Sequence, residues 1–347
     1  MKKALPITQL TDPIPRYKSH MARRNRYIIG GCVYEIGFRA REGLPLPPND
    51  VINALIRSAI ARTQRDQKVV LCHFLWMSNH VHLLIVAKDA EQCRRFYAEV
   101  QKRITDAIKR LLKLDFLRLW EGRPTVALVA DVAAAKDRIA YCYANPASAH
   151  LEDNIEQYPG VSSWSAFRGN RIDSKTTSSE VWIRMPTITA LRRPNISRGE
   201  EQRIVKEMKE ANSKSYELTV QPNAWMSAFG VSEPEEIFAI NADIHAGITA
   251  KELKARNERI SRGISVVGAE RLKRENIMRA HTPKKKERKI FVLCSIKELR
   301  MEIIESYNIM REYLRELYEK WRDGDHSIVW PPGVFRPAAP PIANAIA

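Results

Sequence analysis

Cysteine is scarce and shows no pairing pattern. The chain has five, Cys32, Cys72, Cys93, Cys142 and Cys294, and no two form a CxxC pair. An odd, scattered set argues against a disulfide framework and reads as small buried hydrophobes of a reducing cytoplasm. Long apolar runs are missing too. None approaches the ~18 residues of a membrane span, so no membrane partner is expected. The opening stretch, MKKALPITQLTDPIPRYKSH, is broken by prolines and polar residues before an apolar core forms, and it does not read as a signal peptide. Acids are in deficit: 40 Asp+Glu stand against 57 Lys+Arg, a formal net charge of +17. That balance excludes an acidic solvating protein and points to a polyanion, nucleic acid above all. The alternative is a basic surface with no specific ligand. No internal repeat is visible.

What is present suffices for a sizeable core, since 44% of the 347 residues are hydrophobic. The length suggests about two domains of roughly 150 residues each. A tail covering residues 1–15 precedes RYKSHMARRNR, which carries five basic residues and no acid. YIIGGCVYEIGF reads as a first strand, with Gly30 and Gly31 marking a bulge or a close approach of another backbone. Asn49 and Asp50 are expected to cap a helix whose apolar residues Val51, Ile52, Leu55, Ile56, Ala59 and Ile60 recur at helical spacing. KVVLCHFLWM and HVHLLIVA, parted by Ser78-Asn79, read as a hairpin. Asp89 caps a basic helix, and a third helix is expected over about Val132–Ala144, stopped by Asn145-Pro146. The order β-α-β-β-α suits an α+β fold: a ferredoxin-like antiparallel sheet with helices on one face.

This first unit is drawn over residues 16–174. A mixed region of no assignable fold follows over 175–250, then a largely helical, basic C-terminal extension over 251–325 and a proline-rich tail over 326–347. Between Lys251 and Ile290 there are 14 Lys+Arg against 5 Asp+Glu, which makes the extension strongly positive.

The sharpest local signal is His80-Val81-His82. On a strand, the two imidazoles share one face while Val81 enters the core. Such a pair can bind one divalent ion, or can be two ordinary half-buried histidines. On the third helix, Tyr141 and Asn145 are one turn apart on one face, a candidate nucleophile and a candidate third ligand. Tyr143 lies about 200° around the helix and is expected in packing.

Taken together, RNRYIIGGCVYEI, FLWMSNHVHLLI and RIAYCYANP followed by YPGVSSWSAF resemble the single-tyrosine HUH transposases. More specifically, they resemble the REP-associated tyrosine transposases related to the IS200-type insertion-sequence enzymes. The resemblance covers roughly residues 16–170, and Met77-Ser78-Asn79 stands where the family shows Met-Pro-Asn. It implies an HUH domain whose metal, Mg²⁺ or Mn²⁺, sits on His80, His82 and Asn145, with Tyr141 as nucleophile. Single-stranded or hairpin DNA would be cleaved and rejoined through a 5′-phosphotyrosine in the cytoplasm, at the nucleoid. A homodimer would fit the same picture.

Candidate phosphate contacts are Arg23, Arg24 and Arg26 on the N-terminal arm, Arg94, Arg95, Lys102 and Arg103 on the second helix, Arg123 before the catalytic helix, and the Lys251–Lys289 stretch. Trp76, Trp120 and Trp164 are core aromatics or stacking platforms for unpaired bases. The alternative functions are a DNA-binding protein derived from a transposase without cleavage, and an HxH metal hydrolase of small substrates. The last explains the charge poorly.

Overall fold

Gly30 and Gly31 form a turn, and the first strand begins only after it. Gly31 adopts φ +79°, a conformation that favours glycine, and its N–H donates to Ala87 O. Gly30 lies against the Lys88 carbonyl with no room for a Cβ, the close backbone approach that the tandem glycines suggested. In this computed structural model the described residues are 28–41, 45–169, 175–183, 213–277 and 290–334, with 172, 197, 199, 203 and 337 singly.

β1 (Val33–Arg39) leads through a loop to α1 (Asp50–Gln67), whose first turn is capped by the Asn49 side chain accepting from Ile52 N. Of its apolar stripe only Val51 faces solvent. β2 (Val70–Trp76) and β3 (His80–Val86) form the expected antiparallel hairpin, with a register shift between Leu71 and His73. α2 (Ala90–Leu111) starts from the Asp89 cap. A fourth strand that the sequence pattern did not announce, β4 (Thr125–Val129), precedes α3 (Val132–Ser148).

α3 does not stop at Asn145-Pro146. The buried Pro146 lies two residues from the helix end, so its missing N–H removes one hydrogen bond from a turn that then closes through Ala149 N to Asn145 O. After the one-turn α4 (Trp164–Phe167) come a hairpin of β5 (Thr176–Ile183) and β6 (Ser213–Val220) and the long α5 (Pro234–Ser261). A 3₁₀ helix (Ala224–Phe229) precedes α5, and the short α6 (Ala269–Lys273), β7 (Val292–Leu293) and α7 (Lys297–Arg322) follow it.

The main sheet runs β2-β3-β1-β4-β7. Its first four strands are antiparallel to their neighbours, but β7 joins β4 in parallel, so the sheet is mixed rather than antiparallel throughout. Leu128 N and Ala130 N donate to Phe291 O and Leu293 O, and Ser295 donates to Asp131, which also caps α3. The C-terminal segment therefore helps to set where α3 begins.

Helices cover both faces of the sheet, not one. Tyr34, Ile36, Phe38, Phe74, Trp76, Val81, Leu83 and Ile85 belong to a core cluster shared with α1 and α2. Val33, Cys72, Leu75, Leu84 and Val129 belong to a second cluster shared with α3 and α5. Full burial of each Leu, Ile or Phe contributes about 1.5–3 kcal/mol, so both layers anchor the fold. α3 and α5 meet closely: a Cβ at Gly247 would come within 3.2 Å of Ala140 Cβ. Ion pairs Lys136–Asp243 (2.6 Å) and Lys251–Asp137 (2.8 Å) flank that contact.

The boundaries drawn from sequence at 174 and 250 do not separate packed units. β6 contributes Leu218 and Val220 to the α1 cluster, and α5 runs unbroken through residue 250 while contributing Ile240, Ile244 and Ile248 to the α3 cluster. Within the basic stretch, α5 runs to Ser261 and α6 covers Ala269–Lys273, and residues 278–289 lie outside the described residues. All five cysteines are buried free thiols. No helix among the described residues is long and apolar enough to cross a membrane.

Candidate active site

β3 begins at His80, and alternation from there sends His80 and His82 to the α3 face while Val81 is only 1% exposed in the opposite core. The two imidazole rings lie 5.1 Å apart between centroids and almost perpendicular. In each, Nδ1 faces an oxygen: Asn79 Oδ1 at 2.7 Å from His80, and Glu35 Oε1 at 2.8 Å from His82. Both oxygens accept, so Nδ1 carries the proton in each ring and Nε2 keeps its lone pair. Burial, helped by the positive charges of Arg39 and Arg138, pushes the His80 pKa down to about 3, which keeps this imidazole neutral and able to donate a lone pair.

Glu35 arrives from β1. The register sets Gly37 directly opposite His82 and Glu35 opposite Leu84, so the carboxylate reaches the imidazole on the diagonal, past a residue with no side chain. Its second oxygen accepts from Arg138 Nε at 2.6 Å. Burial alone would raise the Glu35 pKa, but His82 and Arg138 outweigh it and hold the carboxyl below its ordinary value, so it is ionised.

α3 supplies the rest from one stripe at i, i+3 and i+7. Arg138 Cζ stands 4.3 Å from the centroid of the Tyr141 ring. That ring lies 5.8 Å from the His82 ring and perpendicular to it. Asn145 Nδ2 is 3.1 Å from His82 Nε2. The neighbouring residues Ala135, Ile139 and Cys142 enter the core, so the same helix packs on one side and presents chemistry on the other.

Two imidazole Nε2 atoms and one carboxamide oxygen form a donor set that fits a divalent ion, Mn²⁺ better than Mg²⁺, which prefers oxygen. The amide ends of Asn145 exchange by a half-turn of its terminal bond, so its oxygen can replace the nitrogen beside His82. Among the described residues no group of three or more His, Cys, Asp and Glu side chains is arranged to hold a metal.

Tyr143 lies in the core, as its angular position required. Its hydroxyl sits 2.9 Å from His73 Nδ1 and 2.8 Å from Ser163 Oγ, and burial raises its pKa well above the ordinary value.

The candidate DNA contacts divide. Arg94 and Arg95 are exposed but both pair with Glu91 at 2.6 Å. The largely buried Arg103 is committed to Asp66 (2.6 Å) and Glu99 (3.3 Å) and ties α2 to α1. Lys102 is exposed on the same helix. All four belong to α2, across the sheet from the histidines. Arg123 is exposed two residues before Thr125, which pairs with Gly37, itself opposite His82. Arg23, Arg24 and Arg26 lie outside the described residues. Trp76 is buried, the Trp120 ring contacts both Phe38 and Trp76, and Trp164 packs against Tyr143 and Phe167. These three tryptophans act as core aromatics.

Glu35 and Arg138 are the two site residues that sequence reading missed. A lone carboxylate inside the apolar strand VYEIGF was the available signal, because an acid is rarely buried without a partner. Arg138, one turn before Tyr141, was the matching cation.

No protein-family model matches this chain, and no curated protein matches it. Among solved structures, the chain is similar to a REP-associated tyrosine transposase bound to a REP hairpin, at 17% identity and a TM-score of 0.38, over 43% of this chain and 86% of that one.

Proposed function

We propose that this chain is a metal-dependent DNA strand transferase or nickase of the single-tyrosine HUH kind, acting on single-stranded hairpin or repeat ends. The observation that carries the reading is the meeting of β3 and α3, which sets Tyr141 and Asn145 against the imidazole of His82 beside His80. The combination NHVHLL with Y-x-Y-x-NP and the excess of basic residues support it. The βαββαβ order of β1 to β4, with strand order β2-β3-β1-β4, is that of a ferredoxin-like layer.

His80, His82 and Asn145 would hold the divalent ion. When bound, such an ion polarises the scissile phosphate and neutralises charge in the transition state. Tyr141 Oη attacks phosphorus in line, a P–O bond to Tyr141 forms, and the bond to the 3′-oxygen breaks, leaving a 5′-phosphotyrosine and a free 3′-OH. The phosphodiester energy is kept in that link, so a second 3′-OH can displace Tyr141 and rejoin the strand without ATP. A tyrosine ordinarily ionises near pH 10, so attack at neutral pH needs a nearby cation or a base. Arg138 supplies such a cation from within the chain. Glu35 holds the His82 ring in place, and the buried Tyr143 stays out of the chemistry.

The test is a denaturing gel of the purified protein with single-stranded hairpin oligonucleotides and Mn²⁺ or Mg²⁺. A covalent protein–DNA band is expected that disappears in Tyr141→Phe and persists in Tyr143→Phe. Loss in Tyr143→Phe alone would move the nucleophile. Tight, salt-sensitive binding with no adduct on any hairpin would instead establish a DNA-binding protein without cleavage.

A further inference from the structure

One carboxylate joins the two halves of this site. Glu35 Oε1 accepts from His82 and Oε2 accepts from Arg138, with the carboxylate side chain only 9% exposed. A buried ion pair is poor evidence of a stabilising role, because an apolar pair of similar volume often does as well or better. The contacts themselves suggest another purpose. We infer that Glu35 is a positioning residue for the metal-ligand imidazole of His82, that Arg138 is a positioning residue for Tyr141, and that Glu35 sets both at once. This rests on the strand-transferase reading above.

The geometry explains why each group is of its type. A carboxylate on Nδ1 fixes both the tautomer and the ring orientation of a ligating histidine, which turns Nε2 toward the ion. Arg138 Nη2 is 3.4 Å from His82 Nδ1, yet both are donors, so no hydrogen bond joins them. They are neighbours because they share Glu35. With Nε anchored there, the rigid plane of the guanidinium is free to cover the Tyr141 ring. A lysine carries a single compact ammonium without that planar fork and cannot hold the carboxylate while also placing its charge over the ring. Negative charge developing on the tyrosine oxygen would then meet a cation already in place, with nothing left to reorganise.

The test compares the wild type, Glu35→Gln, Arg138→Met, Arg138→Lys and the double variant Glu35→Gln/Arg138→Met. Three measurements are made: thermal unfolding, the His82 tautomer by imidazole ¹⁵N NMR with Mn²⁺ binding by EPR in the absence of DNA, and the adduct rate at saturating Mn²⁺.

Glu35→Gln is expected to mix the His82 tautomers and weaken Mn²⁺ binding by about 10–100-fold. Arg138→Met should keep the tautomer and hold Mn²⁺ affinity within about twofold, while slowing adduct formation by about a hundredfold, the size of one lost preorganised contact. Arg138→Lys should not restore the rate. The double variant, with both charges removed, should regain stability and neither function.

If the double variant regains Mn²⁺ affinity and rate together with stability, the pair is structural and the inference is overturned. Equal weakening of Mn²⁺ binding by Arg138→Met and Glu35→Gln would overturn the division of roles. A wild type that forms no adduct on any hairpin would sink the nickase reading and Arg138's part with it, while tautomer and Mn²⁺ binding would still decide Glu35's.

Discussion

The two faces of the sheet are built from the same strands and differ in what they can tolerate. Under α1 and α2 the strands present Tyr34, Ile36, Phe38, Val81, Leu83 and Ile85. Under α3 the same strands present Val33, Leu75 and Leu84, together with Glu35, His80 and His82. The first face is sealed by helices that cross it with apolar stripes. On the second, α3 turns Ala135, Ile139 and Cys142 inward and Arg138, Tyr141 and Asn145 toward the imidazoles. Both faces bury an apolar cluster, and the second also carries a hydrogen-bonded polar centre. Buried polar groups of this kind are tolerated because each is satisfied by a partner.

The comparison is broken most sharply by adjacent residues that point opposite ways. Leu83 follows His82 in the chain and is fully buried on the α1 face. Leu83→Ala is expected to cost about 2–5 kcal/mol in urea unfolding while the folded fraction keeps its Mn²⁺ affinity. Loss of metal binding in a well-folded Leu83→Ala protein would show that the two faces are not independent.

A second effect is pH-dependent and belongs to the α3 face. Burial lowers the His73 pKa from 6.5 to about 3, only slightly offset by the Pro222 backbone. The folded state therefore resists protonation that the unfolded state accepts, so His73 stabilises fully above pH 6.5 and progressively less as pH falls toward 3. At pH 4.5 the loss from His73 should reach roughly 2–3 kcal/mol relative to pH 7. Urea unfolding at the two pH values, repeated with His73→Asn, checks it. An equal pH slope in the variant would place the effect elsewhere.

The smallest effect sharpens the comparison by charge. Arg94→Ala with Arg95→Ala removes exposed pairs to Glu91 on the far side of the sheet and should change stability by less than ~1 kcal/mol. DNA binding should keep its salt dependence, whereas Arg123→Ala should lower the slope by about one, as loss of one phosphate contact does. The reverse result would put the DNA on the α2 face.

Much of this was legible in particular residues. Asn49 and Asp89 announced α1 and α2, because a short polar side chain before an apolar stripe satisfies otherwise orphaned amides. The alternation of HVHLLIV sent His80 and His82 to one face and Val81 to the other, and helical phase assigned Tyr143 to the core. β4 stayed hidden because TVALV is short, and β7 because two residues carry no period at all. The helix through Pro146 broke a local rule that tertiary burial overrode.

Charge excess, strand alternation and helical phase were thus determined by the sequence itself, since each depends only on composition or on neighbours a few residues apart. The tertiary structure decided which face α3 covers, how β7 seals the sheet edge, and that Glu35 would meet both His82 and Arg138. Those contacts join residues 47 and 103 positions apart. They depend on the β1–β3 register and on where α3 docks, and no local spacing contains either.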